Sequence, residues 1–217
     1  MLGLAIVSIG IAGACGLDDA GGETVRGSGT IETESRTAED FSGVILKGSG
    51  NVVIDVDGTE SLTITTDDNI LPLLTSTVSD GRLELGVRSN TRISPSETVT
   101  YRITAVDLDS VAVQGSGDVT ANDIDTDDLD LSIPGSGDIA ANGAAGTIEV
   151  TISGSGGVDA SALLAEEGTV VINGSGDAIV NADTILDVTI NGSGDVEYLG
   201  KPKLNETING SGSISPG

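Results

Sequence analysis

Four aspartates, Asp118, Asp138, Asp177 and Asp195, stand at one position of a recurring pattern, three residues after the first glycine of a Gly-Ser-Gly triplet. Gly157 interrupts the series. If the repeats stack as strands about 4.8 Å apart, neighbouring carboxylates repel by about 0.9 kcal/mol in water. A divalent cation such as Ca²⁺, which takes several oxygen ligands, would relieve that repulsion. The same carboxylates can instead accept backbone N–H groups at a turn and keep the surface soluble. Residues 122–130 (NDIDTDDLD) are the densest acidic run. They read either as a cation-attracting patch or as a solvated loop face. Asn173, Asn191 and Asn209 form a second series, each directly before a Gly-Ser pair. Stacked amides of this kind can form a hydrogen-bonded ladder, and Asn-x-Ser also matches the glycosylation acceptor pattern.

Other chemistry is excluded by composition. The chain has 217 residues, no His, one Cys and a net charge of −25. A His base or His metal ligand is therefore impossible, as is an internal disulfide. Nucleic acid is not a partner, because phosphate binding needs a basic surface and bases need stacking rings. Aromatic residues are 1% of the chain. A polysaccharide lyase, which can share a parallel β-helical fold, needs cationic groups around an acidic sugar and a proton-abstracting base. Here Lys47, Lys201, Lys203 and the arginines are scattered along the chain. The expectation is a protein that is not an enzyme, with an acidic-polysaccharide lyase kept as the outlying alternative.

The elements that must carry these columns follow from the repeat. A triplet begins at Gly27, and the corner triplets begin at Gly48, Gly115, Gly135, Gly154, Gly174, Gly192 and Gly210 and end at Gly50, Gly117, Gly137, Gly156, Gly176, Gly194 and Gly212. From Gly115 the period is 18–20 residues. Two before each triplet stand Val113, Ile133, Ile152, Ile172, Ile190 and Ile208. Four before stand Val111, Leu131, Val150, Val170 and Val188, then Glu206 as the one break. Four after the first glycine stand Val119, Ile139, Val158, Ala178, Val196 and Ile214. This alternation marks strands with one buried face. A unit so short cannot close a core alone, but stacked units bury a shared aliphatic column. The spacing predicts an all-β, single-stranded parallel β-helix, or β-solenoid, with the glycines at its corners. Corner glycines permit backbone angles that other residues resist. The 67 residues between Gly48 and Gly115 leave room for about three coils without the triplet. Residues 67–74 (DDNILPLL) read as a short helical or irregular turn.

Residues 1–15 read as a lipoprotein-like signal, with an uncharged apolar run, small residues Ala12-Gly13-Ala14, and Cys15 as the lipid acceptor. An ordinary cleaved signal or a buried N-terminal strand are the alternatives. Residues 16–38 are polar and rich in Gly, Asp, Glu, Ser and Thr, and read as a flexible tether. Residues 39–217 form the folded body, with 39–104 less regular and 105–217 built of regular coils. The strand edges of an open solenoid need capping or pairing between subunits, so an oligomer is an open expectation.

With Phe41-Ser42-Gly43-Val44, the corner at Gly48, the segment 61–74, the repeated strand-GSGD units and the ending VEYLGKPK at 196–203, the chain resembles the head GIN domain family of bacterial auto-transporter adhesins. That family has no assigned function and no catalytic residues to carry over. The resemblance implies a right-handed parallel β-helix, exported to the bacterial cell envelope. The expected function is an adhesin-like scaffold or binding module with an unknown surface ligand, touching a membrane only through its N-terminal lipid anchor. A Ca²⁺-responsive structural envelope protein, using Asp118, Asp138, Asp177 and Asp195, is the alternative. No other cofactor is expected.

Overall fold

The computed structural model describes residues 23–217; the signal segment with Cys15 lies outside them. The described chain is a β-solenoid of about 5 turns. Long strands Asp118–Ile133, Ile139–Ile152, Val158–Ile172 and Ala178–Ile190 pair in parallel with their successors. Their register is that of the sequence repeat: Val119 pairs with Ile139, Ile139 with Val158 and Val158 with Ala178. Aliphatic residues thus stack on aliphatic residues. In one coil Val119, Ala121, Ile124, Leu129, Leu131 and Ile133 all point inward and are buried. Each large aliphatic side chain so buried is worth roughly 1.5–3 kcal/mol. The second bend of each coil lies inside the long strand. In the first of them the register shifts between Ala121 and Ile124, where Asp123 takes a φ of 58°.

The triplet at Gly48 belongs to the same stack. Gly43–Leu46 pairs with Ser110–Val113, and Asn51–Val56 pairs with the first half of Asp118–Ile133. The corners at Gly48 and Gly115 are therefore direct neighbours. This corrects the expectation of about three coils between them. The intervening chain closes the end of the core instead. Arg82–Val87 and Thr100–Ala105 add to the two faces in parallel. Leu74–Ser79 and Ser61–Asp67 then pair antiparallel to them. The tight turn between Leu74–Ser79 and Arg82–Val87 has Asp80 and Gly81 both at positive φ, which matches the strand twist of a hairpin. Residues 71–73 form the short helical turn expected there. Arg36 donates to the Leu71 and Leu74 carbonyls from beside it.

The expected tether also needs correcting. Glu23–Arg26 pairs in parallel with Thr91–Ser94, and Ile31–Arg36 lies antiparallel on Ser61–Asp67. Ile31–Arg36 is the outermost strand and nearly all of it is exposed. An edge strand wet on both faces needs no apolar alternation, so its sequence looks like linker.

At the other end the stack stops more simply. Lys203–Ile208 and Ile214–Pro216 are the last strands. Ile208 is 43% exposed, whereas its column neighbours Ile190 and Ile172 are fully buried. Glu206, paired with Val188, takes up an inward position of that last coil and is exposed there.

Candidate functional site

The corner glycines are placed as the repeat predicts, but for a different physical reason. Of the fourteen, only Gly50, at φ +142°, has a left-handed backbone. Gly48, at the start of the column, has open space where a Cβ would go, and the remaining twelve are required by contact. A Cβ on Gly115, Gly135, Gly154, Gly174, Gly192 or Gly210 would fall under 3.0 Å from the carbonyl oxygen of the glycine one coil below. Gly117, Gly137, Gly156, Gly176, Gly194 and Gly212 repeat this one residue column over. The close approach lets each corner serine N–H reach the carbonyl of the first glycine below it. Ser136 donates to Gly115 at 2.9 Å, Ser155 to Gly135 at 3.1 Å and Ser175 to Gly154 at 3.0 Å. These glycines hold the stack together and carry no chemistry.

The aspartate column is real, and its carboxylates are used by the backbone. Asp118 Oδ1 accepts the Asp138 N–H at 3.2 Å, and Asp138 Oδ1 accepts that of Gly157 at 2.6 Å. Asp177 Oδ1 accepts the Asp195 N–H at 2.7 Å. Asp195 Oδ1 takes both the N–H and the hydroxyl of Ser213, at 2.7 and 2.8 Å. Each carboxylate thus ties one coil to the next. Among the described residues no three acidic or sulfur side chains are grouped to hold a metal ion.

The acidic run at 122–130 is split by the pleat. Ile124 and Leu129 turn inward, while Asp123, Asp125, Asp127, Asp128 and Asp130 stay exposed. Asp130 sits between Ser110 and Glu149 in neighbouring strands. Partial burial pushes its carboxyl above the ordinary range, and the stacked Glu149 adds to the effect while Arg82 opposes it. Asp109, Asp128, Asp130 and Glu149 line a shallow trough on this face, with Arg82 at its rim.

The asparagine column forms an amide ladder. Asn191 Nδ2 donates to Asn173 Oδ1 at 2.8 Å and Asn209 Nδ2 to Asn191 Oδ1 at 2.9 Å. A second ladder escaped notice in the sequence. Asn122 Nδ2 donates to Asp55 at 2.8 Å, and Asn142 Nδ2 to Asn122 Oδ1 at 2.7 Å. Its signal was present: Asp55, Asn122 and Asn142 each stand seven residues after the first glycine of a triplet.

Asp67 left no such signal. It is buried, and it ties three separate segments together. Its carboxylate accepts the Ser96 hydroxyl at 2.6 Å, the Ser96 N–H at 2.8 Å and the Gly29 N–H at 2.7 Å. The Ser96 hydroxyl holds the carboxyl below its usual range against the opposing pull of burial, helped by the N–H groups of Ser96 and Gly29. Burial pushes the Tyr101 phenol up to about 12, with Arg36 opposing.

The family described as "Putative auto-transporter adhesin, head GIN domain" matches residues 40–202. The chain belongs to this head GIN domain family. Solved structures share its fold. A "putative adhesin" from Bacteroides fragilis is 24% identical, with a TM-score of 0.73, over 88% of this chain and 99% of that one. A "putative lipid binding protein" from Parabacteroides distasonis is 23% identical, with a TM-score of 0.59, over 90% and 100%. A "putative adhesin" from Parabacteroides merdae is 19% identical, with a TM-score of 0.58, over 89% and 99%. Among curated proteins none matches. The head GIN fold therefore accounts for the corners and the ladders as scaffold.

Proposed function

We propose that this head GIN protein is a non-enzymatic, exported component of the bacterial cell envelope. It acts as an adhesin-like scaffold or binding module and is held to a membrane by lipid on Cys15. The observation that carries this reading is the membership of a family described as adhesins by a rod of stacked coils. Such a rod offers broad lateral faces to a partner rather than a deep reaction cleft. Charge agrees with an interaction role: residues 103–200 contain no Lys or Arg. A surface of one sign over so long a stretch repels its own copies and draws cationic partners by long-range steering.

The Ca²⁺-responsive alternative draws less support, because Asp118, Asp138, Asp177 and Asp195 each spend an oxygen on a backbone N–H. The lyase alternative has no cationic cluster to bind an acidic sugar. No helix among the described residues is long and apolar enough to cross a membrane.

The test has two parts. Metabolic labelling with a fatty-acid analogue should mark the wild-type chain and not Cys15→Ser. Protease added to intact cells should remove the protein, and its deletion should lower attachment to a surface the cells colonise. Unlabelled wild type rejects the anchor. Full protease protection together with unchanged attachment rejects the surface reading.

A further inference from the structure

One gap on the lateral surface is not explained by the fold. Position 157 is the member of the aspartate column that lacks a carboxylate. A Cβ placed there would meet Asp138 Oδ1 at 3.4 Å and the Asp177 carbonyl at 3.6 Å, which is ordinary contact. Its backbone angle is not left-handed. Packing forbids a side chain at most of the corner glycines, but not at this one. The gap also leaves the Asp177 N–H without the carboxylate that the column gives to the Asp138, Gly157, Asp195 and Ser213 N–H groups.

Beside the gap runs an outward column of Thr120, Ala140, Asp159 and Ile179 on successive coils. Ala140 is also small, so two neighbouring positions lack bulk and the surface dips. The result is a groove of about 340 Å³. Its floor is mostly apolar, from Ala140, Ile179 and the backbone around Gly157, and Asp118, Asp138, Asp159 and Asp177 supply carboxylates around it. The nearest cation in this column, Arg102, lies beyond Val53.

We propose that this groove docks an extended, basic segment of a partner protein, with Lys or Arg side chains lying along its floor. The inference deepens the adhesin-like reading above by naming a site and a class of partner. A long basic side chain suits both parts of the groove. Its methylene stem covers the apolar floor while its charged head reaches the carboxylates. Asp138 and Asp177 each have one oxygen committed to a backbone N–H and one left over. That suits an organic cation donating hydrogen bonds better than a metal needing several oxygens. The free Asp177 N–H can donate to a carbonyl of the incoming segment. The net charge of −25 would bring such a partner in quickly, and more slowly as salt is added.

The experiment measures binding of a labelled decapeptide of alternating Lys and Val to the full chain by fluorescence anisotropy, at low and high salt. A Glu-Val decapeptide and free spermidine serve as comparisons. Gly157→Leu fills the groove without changing charge. The pair Asp138→Asn and Asp177→Asn removes charge but keeps the acceptor oxygens. The pair Asp128→Asn and Glu149→Gln removes equal charge from the trough on the other face. Thermal melts check that each variant is folded. The groove variants should weaken Lys-Val binding by at least about tenfold, while the trough pair should change it less than about twofold. Equal loss in both charge-removing pairs, no effect of Gly157→Leu in a folded protein, or equal binding of the Glu-Val peptide would overturn the proposal. Spermidine competing as strongly as the peptide would overturn the choice of a protein segment. Absent peptide binding with attachment still dependent on the protein would sink the groove and leave the adhesin-like reading standing.

Discussion

Two chemically identical substitutions should have opposite outcomes. Gly154→Ala places a methyl group well under 3.0 Å from the Gly135 carbonyl oxygen and 3.0 Å from that of Pro134. Neither oxygen can retreat, since both belong to backbone packed on the coil below. The two corners must separate by more than about an ångström to restore normal contact. That stretches the Ser155 N–H bond to Gly135, now 3.1 Å, and the Gly154 and Ser153 N–H bonds to Ile133, now 3.1 and 3.0 Å. Each bond lost costs about 0.5–1.5 kcal/mol. Loosened packing of Ile152 on Ile133 adds to this, for a total of about 3–5 kcal/mol. For a chain of this size the melting temperature should fall by roughly 10 °C. Gly48→Ala meets nothing within 4 Å, because Gly48 begins the column, and its backbone is not left-handed. Its effect should stay within about 0.5 kcal/mol, with a small gain if the unfolded chain is stiffened. Calorimetry and urea titration of both variants give the comparison. Were the corner glycines needed for their backbone angles, the two would be damaged alike. Equal loss in Gly48→Ala and Gly154→Ala would therefore refute the steric account.

Three further outcomes follow from individual side chains. Asp67 has a folded pKa below its unfolded value, so its contribution is present above the unfolded pKa of about 3.9 and is lost as pH falls through the lower folded value. Asp67→Asn should lower the melting temperature at neutral pH and flatten the acid limb of a stability-versus-pH curve; an unchanged limb would remove Asp67 as its source. Asp130 is shifted the opposite way. Its penalty appears as pH rises past the unfolded pKa and is complete above the folded one, so Asp130→Asn should stabilise at neutral pH and make no difference in acid, as read by parallel melts. Glu206 puts an inward charge in the last coil, Lys203 begins the same strand, and Pro216 occupies the other terminal strand. All three are devices that blunt an edge. Glu206→Val should promote end-to-end association in sedimentation velocity, and a variant that sediments as wild type would show that the charge does not guard that edge.

The regular coils could be read from single residues, because every coil repeats the same physical problem. Val119, Ile139, Val158 and Ala178 recur at one spacing, and a strand with one buried face admits little else. The triplets marked the corners for the same reason. Why they must be glycine could not be read. The obstacle to a Cβ on Gly154 is an oxygen of Gly135, nineteen positions away in the sequence, and local angles carry no trace of it. The strands at 23–36 were hidden because an exposed edge imposes no pattern on its residues. Asp67 was hidden because its three donors come from Gly29 and Ser96, far apart in the chain. The groove beside Gly157 has the same origin. In the sequence Gly157 shows only as a break in the aspartate series. Only the register that sets it between Asp138 and Asp177, beside Ala140, makes its missing side chain a feature of the surface. Periodicity thus settled what lies inside and where the chain turns, because burial acts on each residue in the same way. Pairing between distant coils decided which outward residues meet, because that depends on how many residues each coil uses to come round.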